Sequence, residues 1–172
     1  ILYDAMKRRE IHREYFSIVH GRLSDSICVT PPSPADNDQI APSVWPEFPG
    51  IIALPIARIP GSTIMRMISL SGGKRAVTHF RAVQYDAETD TTALRICLET
   101  GRTHQIRVHM AAIGHPVAGD GMYGTADGLI GRQALHSRVL EFCHPITRQK
   151  LHFECPIPED MRRLCSSFSL QV

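Results

Sequence analysis

The sequence predicts an α+β domain in which strands dominate. Three observations lead there. Short apolar runs of period two recur between proline and glycine breaks, one central segment keeps helical spacing, and no internal repeat unites the whole. With 172 residues, 43% of them hydrophobic, one domain can bury a core without a metal or a disulfide. The formal charge of +2 is too small to argue for nucleic acid, although Lys7, Arg8, Arg9 and Arg13 cluster near the start and Arg95, Arg102 and Arg107 in the middle. Such runs are more often solvated faces than binding surfaces. No apolar run reaches the roughly 18 residues that a membrane span needs, and no signal-peptide pattern opens the chain, so a cytoplasmic location is expected. Cys28, Cys97, Cys143, Cys155 and Cys165 are scattered, with no C-x-x-C pair, and are expected to be reduced and structural.

The first residues, "ILYDAMKRREIHREYF", start inside an apolar pattern of Ile1, Leu2 and Met6 and read as the tail of a helix, as if cut from a longer protein. Residues 14–20 alternate Tyr15, Ser17 and Val19 against Phe16, Ile18 and His20, which predicts a strand closed by Gly21. Residues 24–49 hold six prolines. Proline removes a ladder N–H and fixes φ, so this stretch is expected to be a loop or insertion. "GIIALPIARI" and "IMRMISLSGGKRAVTHFRAVQYD" read as short strands with turns at Pro60-Gly61 and Gly72-Gly73, and "TTALRICLET" as another. Residues 103–113 carry Ile106, Met110 and Ile113 at helical spacing, with Thr103 at the expected N-terminus and Gly114 at the stop. Strands around "QALHSRVLEFCHP" and "QKLHFECPIP" and a short helix over 159–168 complete the reading.

The stretch "LETGRTHQIRVHMAAIGHPVAGDGMYG" needs more than core packing to explain it. Its histidines do not suit a metal: His104 and His109 are five residues apart and thus about 140° apart around a helix. No G-x-S-x-G supplies a serine nucleophile, and Cys97 sits inside an apolar strand. The stretch does place donors at a helix start. Gly101 permits a close turn, Arg102 and Thr103 stand where the first helical N–H groups lack partners, and Gln105 and Arg107 follow, so an anion is the expected partner. Arg102 and Arg107 diverge around the helix and take different partners; Arg107 is either a ligand contact or one end of a structural ion pair.

The same stretch resembles the signature of the RNA pseudouridine synthases of the RluA type: T-G-R-[ST]-H-Q-[IL]-R-V-H, then G-H-P, then G-D-x-x-Y-G. The likeness continues in "REYFSIVHG", in "LPI" at Leu54, in "KRAVTHFRAV" and in "ALHSRVLEFCHP", in the family's chain order. Departures are Ser17 for an alanine, His79-Phe80 for a tyrosine, and the proline-rich insertion. The resemblance implies a bent, mixed but mostly antiparallel sheet flanked by a few helices, with residues 1–172 forming a partial catalytic domain whose N-terminal part is missing. It implies isomerisation of uridine to pseudouridine in structured rRNA or tRNA, without a metal or organic cofactor.

The family's catalytic aspartate lies in H-R-L-D-x-x-T-S-G, upstream of the strand tyrosine. Asp25 in "HGRLSDS" is rejected for that role, because it follows Tyr15, has Ser24 inserted before it and lacks the T-S-G. The aspartate is therefore expected upstream of residue 1, and the isolated chain is expected to be inactive. Tyr15 matches the family tyrosine that stacks on the target base and takes part in proton transfer, and Arg107 the arginine that pairs with the catalytic aspartate. Without that aspartate Arg107 is expected to lack its main partner. Arg102, Thr103, His104, Gln105 and Arg13 are the expected substrate or RNA contacts, although His104 serves equally as a packed histidine that fixes the turn. His115-Pro116, Gly119-Asp120 and Tyr123-Gly124 are assigned to loop architecture. RNA is the expected partner and a monomer the expected state; the competing class is a non-catalytic RNA-binding module that kept the pocket.

Overall fold

A computed structural model describes residues 10–31 and 46–164. The expected N-terminal helix tail with Lys7, Arg8 and Arg9, most of the proline-rich segment, Cys165 and the end of the last expected helix lie outside the described residues. Among the described residues, nine strands and two helices follow in order: β1 (His12–His20), β2 (Cys28–Val29), β3 (Gly50–Ile52), β4 (Ile56–Arg58), β5 (Arg66–Ile68), β6 (Thr78–Asp86), β7 (Thr91–Leu98), α1 (Gln105–Ala112), β8 (Leu135–Cys143), β9 (Lys150–Glu154) and α2 (Glu159–Leu164).

Seven strands form one sheet in the order β2-β3-β6-β7-β1-β8-β9, and β4 pairs with β5 in a separate hairpin. All neighbours are antiparallel except β2 and β3, so the α+β, mixed and mostly antiparallel expectation holds. Strand β2 corrects the reading of 24–49 as loop throughout. Cys28 and Val29 precede the first proline, Pro31, and their backbone is free to pair with Ile51 and Ile52.

The long strand β1 lies inside the sheet, between β7 and β8. Against β7 its register is regular and sets Tyr15 beside Ile96; against β8 it shifts between Glu14 and Tyr15, where Val139 and then Ser137 are the partners. Arg138 is thus the extra residue of a bulge opposite Tyr15, a device that re-aims side chains next to functional sites.

Helix α1 packs on the sheet through Ile106 and Met110, and α2 through Met161 and Leu164, all buried in one cluster with Phe16, Ile18, Leu94 and Phe80. Gly114 ends α1 as expected, at φ +84° with its N–H on the Ala111 carbonyl. The start of the helix differs from expectation. His104, at φ 57° and ψ 19°, is left-handed and occupies the N-cap without a side-chain cap bond, so α1 begins at Gln105 and Thr103 is no cap. The Gln105 N–H, one of the donors expected to await an anion, is taken by the Arg102 carbonyl.

Polar groups bind α1 to the sheet. Nε2 of buried His109 donates to the Leu54 carbonyl at 2.9 Å, so Nδ1 is the acceptor for the Thr78 hydroxyl at 2.9 Å. Burial pushes the His109 imidazole down to about 4 from 6.5, only partly offset by the Leu54 bond, and the ring is neutral in the folded protein. The unfolded chain therefore binds more protons between pH 6.5 and about 4, and stability present in full above that window is lost as pH falls through it. The expected loss is about 3 kcal/mol. Urea unfolding at pH 7 and pH 4.5 measures it: His109→Gln should flatten the pH dependence, whereas an unchanged slope in that variant would assign the effect elsewhere.

Candidate active site

Tyr15 of β1, Leu98 of β7, Leu135 of β8, Gln133, and Arg102, His104, Gln105, Ile106 and Arg107 around the start of α1 line one recess of about 310 Å³. Two residues nearly a hundred positions apart in sequence, Tyr15 and Arg107, are brought together because α1 packs on the sheet that contains β1. The Tyr15 hydroxyl has no hydrogen-bond partner among the described residues, which leaves it available to a ligand. Asp25 stands in a turn between β1 and β2 and does not line this recess.

Arg107 is not the partnerless charge that the sequence suggested. Its Nε and Nη2 donate to the two carboxylate oxygens of Asp120, both at 2.6 Å, with the Asp120 side chain fully buried and Arg107 13% exposed. The guanidinium also lies over the Tyr123 ring, 5.0 Å from its centroid. Burial works against ionised Asp120, but the Arg107 hydrogen bonds and those from the Met122 and Tyr123 N–H groups outweigh it and hold its carboxyl below the usual range. Asp120 is reached because the chain turns at Gly119, which has φ +70° and runs so close to the Arg132 carbonyl that a side chain would collide with it.

Tyr123 extends the network. Its hydroxyl accepts the Arg66 N–H at 2.9 Å and donates to Nδ1 of His104 at 2.9 Å, with the two rings edge to face. Burial, followed by the charge of Arg107, lowers the His104 pKa, in keeping with a neutral ring that accepts at Nδ1. Through this bond His104 holds the turn, and it also lines the recess. Asp120 and Tyr123, read from sequence as loop architecture, belong to the site's framework; the Asp-x-x-Tyr spacing within G-D-x-x-Y-G was the signal.

Gln105, expected to contact substrate, is 2% exposed and has its amide committed inside the protein. Its oxygen accepts from the Thr100 hydroxyl and the Arg102 N–H, and its nitrogen donates to the Val77 carbonyl and the Thr78 hydroxyl. It shapes the recess by fixing the turn to β6 and has no donor left for a ligand. Arg102 is exposed, with Nε on the Arg75 carbonyl at 2.9 Å, and Thr103 is exposed beside it. Arg13 comes to the same turn: a Cβ at Gly101 would lie 3.1 Å from its Nη1, and its Nε is buried without a hydrogen-bond partner among the described residues.

Elsewhere, ligand atoms of His12, Glu14 and Cys97 lie within 4.8 Å of one another. Both oxygens of Glu14 are already held by Arg95, at 2.8 and 2.7 Å, and burial pushes the Cys97 thiol up to about 12, so a cation there would have to displace Arg95 and ionise an unreactive thiol. We assign no metal to it. Cys28, Cys97, Cys143 and Cys155 are unpaired, as expected, and no helix among the described residues is long and apolar enough to cross a membrane.

Residues 1–112 match the sequence model of a family described as RNA pseudouridylate synthase. The chain is 40% identical over 164 residues to an uncharacterized RNA pseudouridine synthase of Bacillus subtilis, YjbO, covering 95% of this chain and 49% of that protein. It is 38% identical over 172 residues to ribosomal large subunit pseudouridine synthase D of Nitrosomonas europaea, covering 95% of this chain and 42% of that one. The chain thus spans about half the length of these curated relatives. Human RNA pseudouridylate synthase domain containing 1 shares the fold, with a TM-score of 0.66 at 24% identity over 90% of this chain and 58% of the human one.

Tyr123→Phe removes the hydroxyl that joins His104 to the Arg66 backbone. A loss of about 1–2 kcal/mol is expected, together with faster hydrogen exchange at the Arg66 amide. Unchanged exchange at that amide would show that the hydroxyl does not hold the hairpin.

Proposed function

Because the chain belongs to the RNA pseudouridylate synthase family, we propose that the intact protein isomerises uridine to pseudouridine in RNA, and that the recess lined by Tyr15 and Arg107 receives the target base. The observation that carries this reading is the convergence in one recess of a phenol with an uncommitted hydroxyl and a guanidinium held rigid from behind. Relatives named for the large ribosomal subunit favour ribosomal RNA as the substrate class.

Uridine to pseudouridine is an isomerisation: the N1–C1′ bond breaks, uracil turns, and C5 joins C1′ while the C5 hydrogen leaves and N1 gains a proton. No electrons are gained or lost, so the protein has to hold the detached base and move one proton. Tyr15 lies in the recess wall, where its ring can stack on uracil and its oxygen can serve the C5 proton. A target in a helix must first leave its stack, at a cost of a few kcal/mol that contacts in the recess offset.

The reaction also needs a carboxylate at the sugar or the ring. Asp120 is ill suited, since it is fully buried and both its oxygens are bound to Arg107. We assign the catalytic carboxylate to an aspartate outside these 172 residues, paired with Arg107 through Nη1, the nitrogen that Asp120 leaves unused. Arg107 then bridges two carboxylates, one that fixes its plane and one that it keeps ionised and aimed.

Pseudouridine formation in a uridine-containing ribosomal RNA fragment tests this. The full-length protein should turn over, Tyr15→Phe and Arg107→Met should each lose at least about a hundredfold in rate, and the 172-residue chain alone should be inactive. Turnover by the isolated chain would place the carboxylate within it, with Asp25→Ala deciding whether Asp25 supplies it. RNA binding without turnover by the full-length protein would favour the non-catalytic module instead.

A further inference from the structure

A second recess, of about 410 Å³, adjoins the first. Its walls are the β4–β5 hairpin and the turn before α1, and they carry Arg58, Arg66, Lys74 and Arg102 with no acidic residue among them. Arg75, Arg95, Arg107, Arg132, Arg138, Arg162 and Arg163 each face a carboxylate within 3.2 Å, whereas none of these four cations has one among the described residues.

The side chains of Arg58 and Lys74 make no hydrogen bond among the described residues. Arg66 gives Nη1 to hairpin carbonyls, the nearest that of Ile64 at 2.8 Å, and Arg102 gives only Nε. Lys74 is fixed beside β4, its N–H and carbonyl both bonded to Ile56 at 2.9 Å. Four cations facing one hollow repel one another, and in a chain of net charge +2 their gathering has a physical rationale if an anion offsets it. Arg102 lines both recesses and stands where they meet.

We infer that this cationic hollow holds a backbone phosphate of the RNA strand next to the nucleotide whose base occupies the Tyr15–Arg107 recess. The inference rests on the proposed function and names the part of the substrate that a neighbouring surface takes. A base pocket alone cannot fix which nucleotide enters it, whereas a phosphate held one step along the strand sets position and direction without reading sequence. Tyr123 ties the hollow to the catalytic side, because the backbone of Arg66 hangs from the same hydroxyl that reaches His104.

The test is binding of uridine-bearing RNA stem-loops of differing sequence to the full-length protein across a salt series. The double variant Arg58→Gln/Lys74→Gln, at exposed positions, is compared with Arg148→Gln/Lys150→Gln, exposed in the β8–β9 turn and at the first residue of β9. The first pair should weaken binding about tenfold for every sequence and make the slope of log affinity against log salt shallower by about 0.7 for each phosphate no longer neutralised. The second pair should leave both unchanged. A wild-type slope in the first pair overturns the inference, as does a loss confined to particular sequences. Uridine monophosphate separates the sources: its affinity should be untouched by the first pair, and an equal loss would make the hollow a mononucleotide site. An RNA that the wild type binds and modifies with the first pair's slope unchanged sinks only this inference; an RNA that the wild type neither binds nor modifies sinks the proposed function with it.

Discussion

The paired hydrogen bonds from Arg107 to Asp120 are the constraint on which the rest of the site depends. A fully buried carboxylate and a guanidinium only 13% exposed can stay ionised there because each satisfies the other. Such a pair is not worth much against a well-packed apolar alternative, but it is costly to break from one side. Its value lies in geometry: two parallel bonds fix the plane of the guanidinium, and with the plane fixed, the remaining nitrogen points in one direction.

Several local features follow from keeping that plane. Gly119 has to adopt a positive φ to bring Asp120 beneath α1, and the Asp120 carboxylate gathers the Met122 and Tyr123 N–H groups around itself. Tyr123 is thereby set with its ring against Arg107 and its hydroxyl between His104 and the hairpin. The left-handed His104 in turn makes α1 start at Gln105, two residues later than the expected Thr103. On the sheet side the bulge of β8 opposite Glu14 and Tyr15 belongs to the same arrangement, shifting the register beside the strand whose tyrosine meets the recess.

The long strands and the helix were legible in the sequence because their cores are local patterns. Tyr15 to His20 alternates, and Ile106, Met110 and Ile113 recur at helical spacing. Strand β2 was not legible, since two residues carry no period and their pairing depends on where β3 lies. Tyr15 and Arg107 were found through a motif, yet their meeting in one recess is a fact of sheet order, which single-segment patterns do not encode. Gln105 was misread for a related reason: a glutamine at a helix start looks like a donor for a ligand until Val77, Thr78 and Thr100 are seen to take all its capacity. Asp120 hid in a glycine-rich turn, where an aspartate is ordinary and only its distant partner makes it unusual.

The central claim is that Arg107 and Asp120 act as a unit, and a double-mutant cycle measures it most directly. Unfolding free energies of Arg107→Met, Asp120→Ala and the double variant should show a coupling of about 3 kcal/mol, with the double variant no less stable than the worse single one. Additive losses, with a coupling below about 0.5 kcal/mol, would contradict the account and leave Arg107 without the fixed plane on which the proposed catalytic arrangement rests.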